Sequence, residues 1–215
     1  MVFKIDLKIF IFLILLYVTK QINIYWIMML FALLHELGHL FAGIMLKMKV
    51  KKMAIMPAGF SVEFSLKEND YNQKILNSNL LEVKKIIVAL AGPITNILVI
   101  IIIKLINIQN NITYNIIYAN CLIALFNLLP IYPLDGGRIL KSIICLKLNR
   151  KKAIIYVNRI SNLILFIITF LTSILIYYWK NWLILVILAY LWYITLKENK
   201  VSKMKMKLYE ALEKL

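Results

Sequence analysis

The two histidines of this 215-residue chain stand four residues apart, in the segment His35-Glu36-Leu37-Gly38-His39. On an α-helix, residues i and i+4 share a face, so both imidazoles can bind one tetrahedral zinc ion. Glu36 then lies beside the metal, where it can act as a general base on water. Composition alone gives this pattern a chance of roughly one in two thousand. The spacing therefore predicts a metal site, and the alternative is a pair of ordinary histidines satisfied by neighbouring backbone groups.

Asp135 is the best candidate for a third metal ligand. A catalytic zinc ion usually takes three protein ligands and keeps a fourth position for water. The other acidic residues, apart from Glu36, lie in predicted tails, polar loops or a predicted strand. The apolar run that precedes Asp135 is broken by Asn127, Pro130 and Pro133, and broken helices in membranes are tolerated where the backbone lines a site. The alternative interpretation of Asp135 is a simple helix end with an Asp-Gly turn.

The composition indicates that these residues are positioned by membrane-spanning helices. The chain is 62% hydrophobic with a mean hydropathy of +0.82, far above an average soluble domain. In a bilayer a buried Glu36 is costly unless a charged group such as a metal ion compensates it. We therefore predict an all-α polytopic membrane protein with about six transmembrane helices. The predicted spans are residues 7–19, 22–46, 84–106, 112–130, 155–178 and 182–197.

The positive charge is explained by membrane topology. The formal net charge is +16, and the six spans place 23 of the 26 lysines and arginines on one side, with Lys20, Lys104 and Lys180 on the other. By the positive-inside rule, the termini and loops 47–85 and 136–159 face the cytoplasm. This pattern predicts a lipid bilayer as partner and no nucleic acid.

Four further expectations concern the segments outside the spans. In the segment 47–66, Pro57 and Gly59 break any helix and apolar and polar side chains alternate from Phe60 to Leu66, which predicts a short membrane-associated β-hairpin or strand. The N-terminal apolar run has no cleavage site of the signal-peptide type, so the first span is expected to be retained. The cysteines suggest no disulfide scaffold. We expect one domain over 1–197 and a short basic cytoplasmic tail over 198–215.

Three motifs together resemble a known family. They are H-E-L-G-H at 35–39, A-G-P-I-T-N at 91–96 and N-L-L-P-I-Y-P-L-D-G-G-R at 127–138. They resemble the site-2 protease family of intramembrane zinc metalloproteases, peptidase family M50, and most of all the branch that contains stage IV sporulation protein FB. The chain has no room after the last span for the nucleotide-sensing domain of many such relatives, so regulation by ATP through it is not expected.

The resemblance implies a role for each motif residue. His35, His39 and Asp135 would bind one catalytic zinc ion, Glu36 would activate water, and Asn127 would hold the substrate carbonyl or its developing oxyanion. The implied substrate is a membrane-tethered regulatory protein, such as a precursor of a transcription (sigma) factor in sporulation, with membrane regulatory proteins as further partners. The implied location is the bacterial cell membrane, including the forespore membrane.

Two other functions are compatible with the same residues. A non-hydrolytic zinc-binding membrane scaffold or carrier would also need the histidines, although a carrier is expected to show several ligand sets and inverted repeats. A membrane zinc protease whose third ligand is a glutamate would need that residue in a later span, where the sequence has none. The oligomeric state and the natural substrate do not follow from the sequence.

Overall fold

The computed structural model describes residues 2–5, 22–56, 59–65, 75–107, 110–179 and 183–212. Its helices are α1 (Ile22–Met45), α2 (Ile75–Ile106), α3 (Asn111–Asn127), α4 (Asp135–Lys147), α5 (Arg150–Trp179) and α6 (Leu183–Leu212). Its strands are β1 (Val2–Ile5), β2 (Lys49–Met56) and β3 (Gly59–Ser65). The chain divides into two compact units, Met1–Asn127 and Leu128–Leu215.

In the first unit, helices α1, α2 and α3 pack against one another. Phe31 of α1 and Ala119 and Ile123 of α3 form a small buried cluster, and Val99 of α2 packs against it. Gly38 allows α1 and α2 to approach closely, because a Cβ atom there would collide with the Thr95 hydroxyl. Close approach through small residues is typical of helix packing in membranes, where apolar area alone gives no driving force between helices.

The strands of the first unit form one sheet in the order β1-β2-β3. Strand β1 pairs in parallel with β2. Strand β3 pairs antiparallel with β2, with Met53 opposite Val62 and Lys52 opposite Glu63. In the described part of the chain, β3 is therefore an edge strand.

Helix α1 ends in a Schellman motif. Lys47 has a φ of 56°, its N–H donates to Ile44 O, and the Met48 N–H donates to Gly43 O. These two bonds satisfy carbonyls at the end of the helix that have no further helical partner. The chain thus leaves α1 in a defined direction immediately before β2.

In the second unit, α4 packs on α5 and α5 packs on α6. Ile131, Val157 and Leu165 are among its most buried side chains. Helices α5 and α6 also share a polar contact, in which Asn199 Nδ2 donates to Asn162 Oδ1 over 2.9 Å. An amide that pairs in this way avoids the cost of an unsatisfied polar group between apolar helices.

The described structure is that of a largely helical membrane protein. Three of its helices contain segments long and apolar enough to cross a membrane, Trp26–Met45, Asn79–Ile106 and Arg150–Tyr178. Large apolar side chains such as Leu30, Phe41 and Ile102 are exposed on them, as expected of surfaces that face lipid.

Several predicted boundaries need correction. Residues 136–159 were expected to form a loop, but α4 and the first turns of α5 occupy them, and α2 begins at Ile75 within the expected loop 47–85. Leu140 and Ile144 are four positions apart and half-buried, so they give one side of α4 an apolar packing face, which offsets the low helix propensity of its two glycines. The predicted span 7–19 lies outside the described residues.

Candidate metal centre

Helix α1 directs both histidines toward the interior of the first unit. His35 and His39 are only 4% and 3% exposed, and Phe31, one turn earlier, is also buried. Leu37 and Phe41 lie on the other side of the helix and are exposed. This division follows from the helical period, which places residues i, i+4 and i+8 on one face.

The Nδ1 atom of each imidazole is held by an acceptor from α2. His35 Nδ1 lies 2.6 Å from Asn96 Oδ1, and His39 Nδ1 lies 2.7 Å from the carbonyl oxygen of Val88. A carbonyl oxygen can only accept, so His39 carries its proton on Nδ1. In a neutral imidazole the other nitrogen then presents a lone pair. Metal-binding histidines are commonly oriented by such a second hydrogen bond.

The two Nε2 atoms face each other over 3.1 Å. If both Nδ1 atoms carry protons, both neutral rings present lone pairs to the same point, and these lone pairs repel unless a cation lies between them. Two nitrogen ligands of a tetrahedral zinc ion are separated by about 3.3 Å, given bond lengths of about 2.0–2.1 Å. The observed separation therefore fits a bound metal ion.

Gly92 of α2 leaves the space that such an ion requires. A Cβ atom at this position would lie 2.5 Å from His39 Nε2 and 2.6 Å from His35 Nε2. Both distances are far below a van der Waals contact, so any side chain at position 92 would occupy the region that the lone pairs face. The glycine in the A-G-P-I-T-N segment thus keeps the approach to both nitrogens open.

Glu36 lies between the buried His35 and the exposed Leu37 on α1 and is half-buried. Its position next to the histidine pair in the sequence agrees with the predicted role as general base, which stays a prediction. Asn127 is the last residue of α3 and is also half-buried. Its Nδ2 donates to Ile123 O over 3.1 Å, which uses one of its two N–H groups. Its role toward substrate likewise stays a prediction.

Asp135 lies in the second unit, as the first residue of α4, and is 4% exposed. Arg138 Nη1 lies 3.8 Å from its Oδ1, and an acidic residue in the first turn also interacts favourably with the helix dipole. Gly136 and Gly137 follow it, and a Cβ atom on either would collide with the backbone of the preceding segment 128–132. The D-G-G sequence thus lets α4 begin directly against that segment.

His35 and His39 in the first unit and Asp135 in the second are the three residues that the sequence predicts as metal ligands, and all three are buried. Nitrogen and carboxylate ligands in this number match a catalytic zinc site. The two histidines were predicted from their spacing, and Asp135 by elimination.

Sequence reasoning missed three buried polar residues. Glu82 was expected in a cytoplasmic loop, but it lies in α2, is 5% exposed and accepts from Lys85 Nζ over 2.6 Å. Asn96 and Asn120 are buried and hydrogen-bonded behind His35. Their signal in the sequence was an amide inside an apolar span, where a polar side chain is rare without a partner.

Comparison with known proteins agrees with this centre. The model of peptidase family M50 matches residues 24–119 and 106–171. A zinc metalloprotease of Methanocaldococcus jannaschii is 28% identical over 137 residues, which are 58% of this chain and 37% of that protein. Stage IV sporulation protein FB of Bacillus subtilis is 27% identical over 117 residues, 53% of this chain and 37% of that protein. The chain thus matches little more than a third of the length of either relative.

The fold has a counterpart among solved structures. The site-2 protease from Methanocaldococcus jannaschii superposes with a TM-score of 0.64 and 19% sequence identity, over 90% of this chain and 88% of that one. At this identity the match shows the fold alone. The family model, by contrast, covers well over half of the chain and includes both histidines. The chain belongs to peptidase family M50, the site-2 protease family that its three motifs resemble.

Proposed function

We propose that this protein is an intramembrane zinc metalloprotease that hydrolyses a peptide bond in or near the membrane segment of a membrane-tethered protein. The observation that carries the proposal is the histidine pair, whose Nδ1 atoms are both held by acceptors while the Nε2 atoms face each other over 3.1 Å. Membership of peptidase family M50 supports the same activity.

The proposed chemistry divides among five residues. His35, His39 and Asp135 hold one zinc ion. When bound, the ion supplies a Lewis acid that acidifies water and polarises a carbonyl group. Glu36 takes a proton from the attacking water and delivers it to the departing amide nitrogen. Asn127 donates an N–H to the developing oxyanion, a contribution of about 3–4 kcal/mol in other proteases.

The variant Glu36→Gln tests this division. The amide keeps the shape of the side chain but cannot accept a proton, so we expect near-stoichiometric zinc and no cleavage of a membrane-tethered substrate. His35→Ala is the matched control on the same helix and should lose zinc as well as cleavage. Appreciable turnover by a folded Glu36→Gln protein would refute the mechanism. Stoichiometric zinc without any cleavage by the unaltered protein would instead favour the non-hydrolytic scaffold or carrier.

The substrate class proposed is a membrane-tethered regulatory protein. Similarity to stage IV sporulation protein FB of Bacillus subtilis supports, as substrate, the precursor of a transcription (sigma) factor in sporulation. Cleavage would release this factor from the bacterial cell membrane or the forespore membrane. Membrane regulatory proteins are proposed as further partners. Co-expression of the protein with a tethered precursor should release a soluble product in the wild type and none in Glu36→Gln, and equal release in both would contradict this assignment.

The proposed topology has six spans with both termini in the cytoplasm. The count of basic residues supports it, since 23 of the 26 fall on one side of those spans. A cysteine at Leu46, in a background without the native cysteines, should react with an impermeant thiol reagent in inverted vesicles. Labelling only from the outer face of intact cells would contradict the topology.

The membrane-associated hairpin after α1 is proposed as the substrate-binding element. A peptide bond in a membrane helix must be unwound before water can attack it, and the freed backbone groups then need partners. Among the described strands, β3 is at the edge of the sheet, so an unwound substrate could add to it as a further strand.

A further inference from the structure

Asn96 and Asn120 are among the most buried polar side chains of the described structure, with 1% and 0% of their surfaces exposed. They lie in the apolar helices α2 and α3. Burying a primary amide costs a few kcal/mol unless its hydrogen bonds are made. Both residues therefore need partners, and the partners that they have connect them to the metal centre.

A chain of hydrogen bonds runs from the backbone of α3 to His35. Asn120 Nδ2 donates to Ile116 O over 2.9 Å, and Asn96 Nδ2 donates to Asn120 Oδ1 over 3.0 Å. Asn96 Oδ1 then accepts from His35 Nδ1 over 2.6 Å. Three helices contribute to this chain, which ends on one of the two histidines.

The direction of every bond in this chain follows from its first member. The Ile116 carbonyl can only accept, so Asn120 must turn its NH₂ group toward it and its oxygen toward Asn96. Asn96 must then donate to that oxygen, which turns its own oxygen toward His35. His35 therefore has a proton on Nδ1, and in its neutral form the ring presents a lone pair on Nε2.

We propose that Asn96 and Asn120 are positioning residues that fix the metal-binding tautomer and the ring orientation of His35. The inference rests on the proposed function, because it requires a metal ion at Nε2. Asn96 contacts the ring directly, whereas Asn120 acts through Asn96 by preventing a flip of the Asn96 amide. If the amide of Asn96 turned over, its NH₂ group would face Nδ1 and favour the tautomer with the proton on Nε2.

The competing explanation is that the two asparagines only hold α2 and α3 together. Interhelical amide pairs in membranes stabilise helix packing by about 1 kcal/mol. The second unit offers a control, because Asn162 and Asn199 form a similar, part-buried amide pair between α5 and α6. Loss of packing alone predicts the same result in both places, whereas positioning predicts a change in metal binding only for the first pair.

The experiment measures the zinc dissociation constant of the purified full chain in detergent by chelator competition, together with the visible spectrum of the Co²⁺-substituted protein. In Asn96→Asp the acceptor for His35 Nδ1 is kept, and we expect zinc affinity equal to or tighter than wild type. In Asn96→Ser the residue stays polar but no longer reaches His35, and we expect a 10- to 100-fold weaker affinity and an altered Co²⁺ spectrum.

Two further variants test the second residue of the hydrogen-bond network and the control pair. Asn120→Leu should weaken zinc binding and alter the Co²⁺ spectrum, although it does not contact the histidine. Asn162→Leu should lower the melting temperature while zinc affinity and the spectrum stay as in the wild type. Equal zinc affinities and spectra for Asn96→Asp and Asn96→Ser would overturn the inference, as would an equal effect of Asn162→Leu. Absence of zinc binding in the unaltered protein would instead overturn the proposed function.

Discussion

Replacing Gly92 by alanine should block the metal centre without removing a ligand. The added Cβ atom would lie 2.5 Å from His39 Nε2 and 2.6 Å from His35 Nε2. An ordinary carbon–nitrogen contact is about 3.4 Å, so the His39 ring would have to move by about 0.9 Å and the His35 ring by about 0.8 Å to restore it. Zinc–ligand distances tolerate only about ±0.2 Å. At least one histidine is therefore lost as a ligand, and we expect zinc binding to weaken 100-fold or more, about 2.8 kcal/mol.

Chelator competition on purified protein measures this loss, with melting temperature in excess chelator as the measure of folding. Gly38→Ala is the control, because it inserts the same methyl group between the same two helices, against Thr95 and Ala91. We expect it to lower the melting temperature but to keep zinc affinity within about tenfold of wild type. An equal loss of affinity in both variants would show that separation of α1 and α2 is responsible and would refute the reasoning. Unchanged affinity in Gly92→Ala would do the same.

Two further predictions concern Asp135 and strand β3. Asp135→Ala should lose zinc, because it removes one of three proposed ligands. Arg138→Ala is the control: it removes the arginine that lies 3.8 Å from the Asp135 carboxylate and should keep zinc. Full zinc occupancy in Asp135→Ala, measured by metal analysis, would show that the third ligand is another residue. Val62→Pro and Glu63→Pro should differ sharply in cleavage, because successive N–H groups of a strand point to opposite edges. The variant at the outward-facing position should lose cleavage while it keeps zinc and its melting temperature, and near-wild-type cleavage by both would contradict substrate pairing with β3.

The histidine pair and the family could be predicted from sequence because their signals are local. Two histidines four residues apart share a helix face whatever the rest of the fold, and the bilayer makes a glutamate between them costly without a compensating charge. The three motifs of the family are likewise contiguous stretches of sequence. The apolar composition predicted a membrane protein, since no water-soluble core could bury so many apolar residues.

The residues behind the histidines could not be found in this way. Asn96 and Asn120 are separated by 24 positions and meet only because α2 and α3 pack together. Glu82 looked like a loop residue because it comes shortly after the polar segment 67–80 and before the apolar run of the predicted span. Helix α4 was missed because two glycines follow Asp135, and their low helix propensity outweighed the apolar spacing further along.

His39 Nδ1 is held by a backbone carbonyl, that of Val88, whereas His35 Nδ1 is held by a side chain. The two histidines therefore differ in whether a substitution can change their hydrogen-bond acceptor. The acceptor of His35 is the side chain of Asn96, so a single substitution can remove it, shorten it or replace it by a charged group. The acceptor of His39 belongs to the main chain and is present whichever amino acid occupies position 88. Substitutions, natural or engineered, can therefore change the basicity of the His35 ring through its acceptor at position 96. The acceptor of His39 stays the same as long as the backbone of α2 keeps its position.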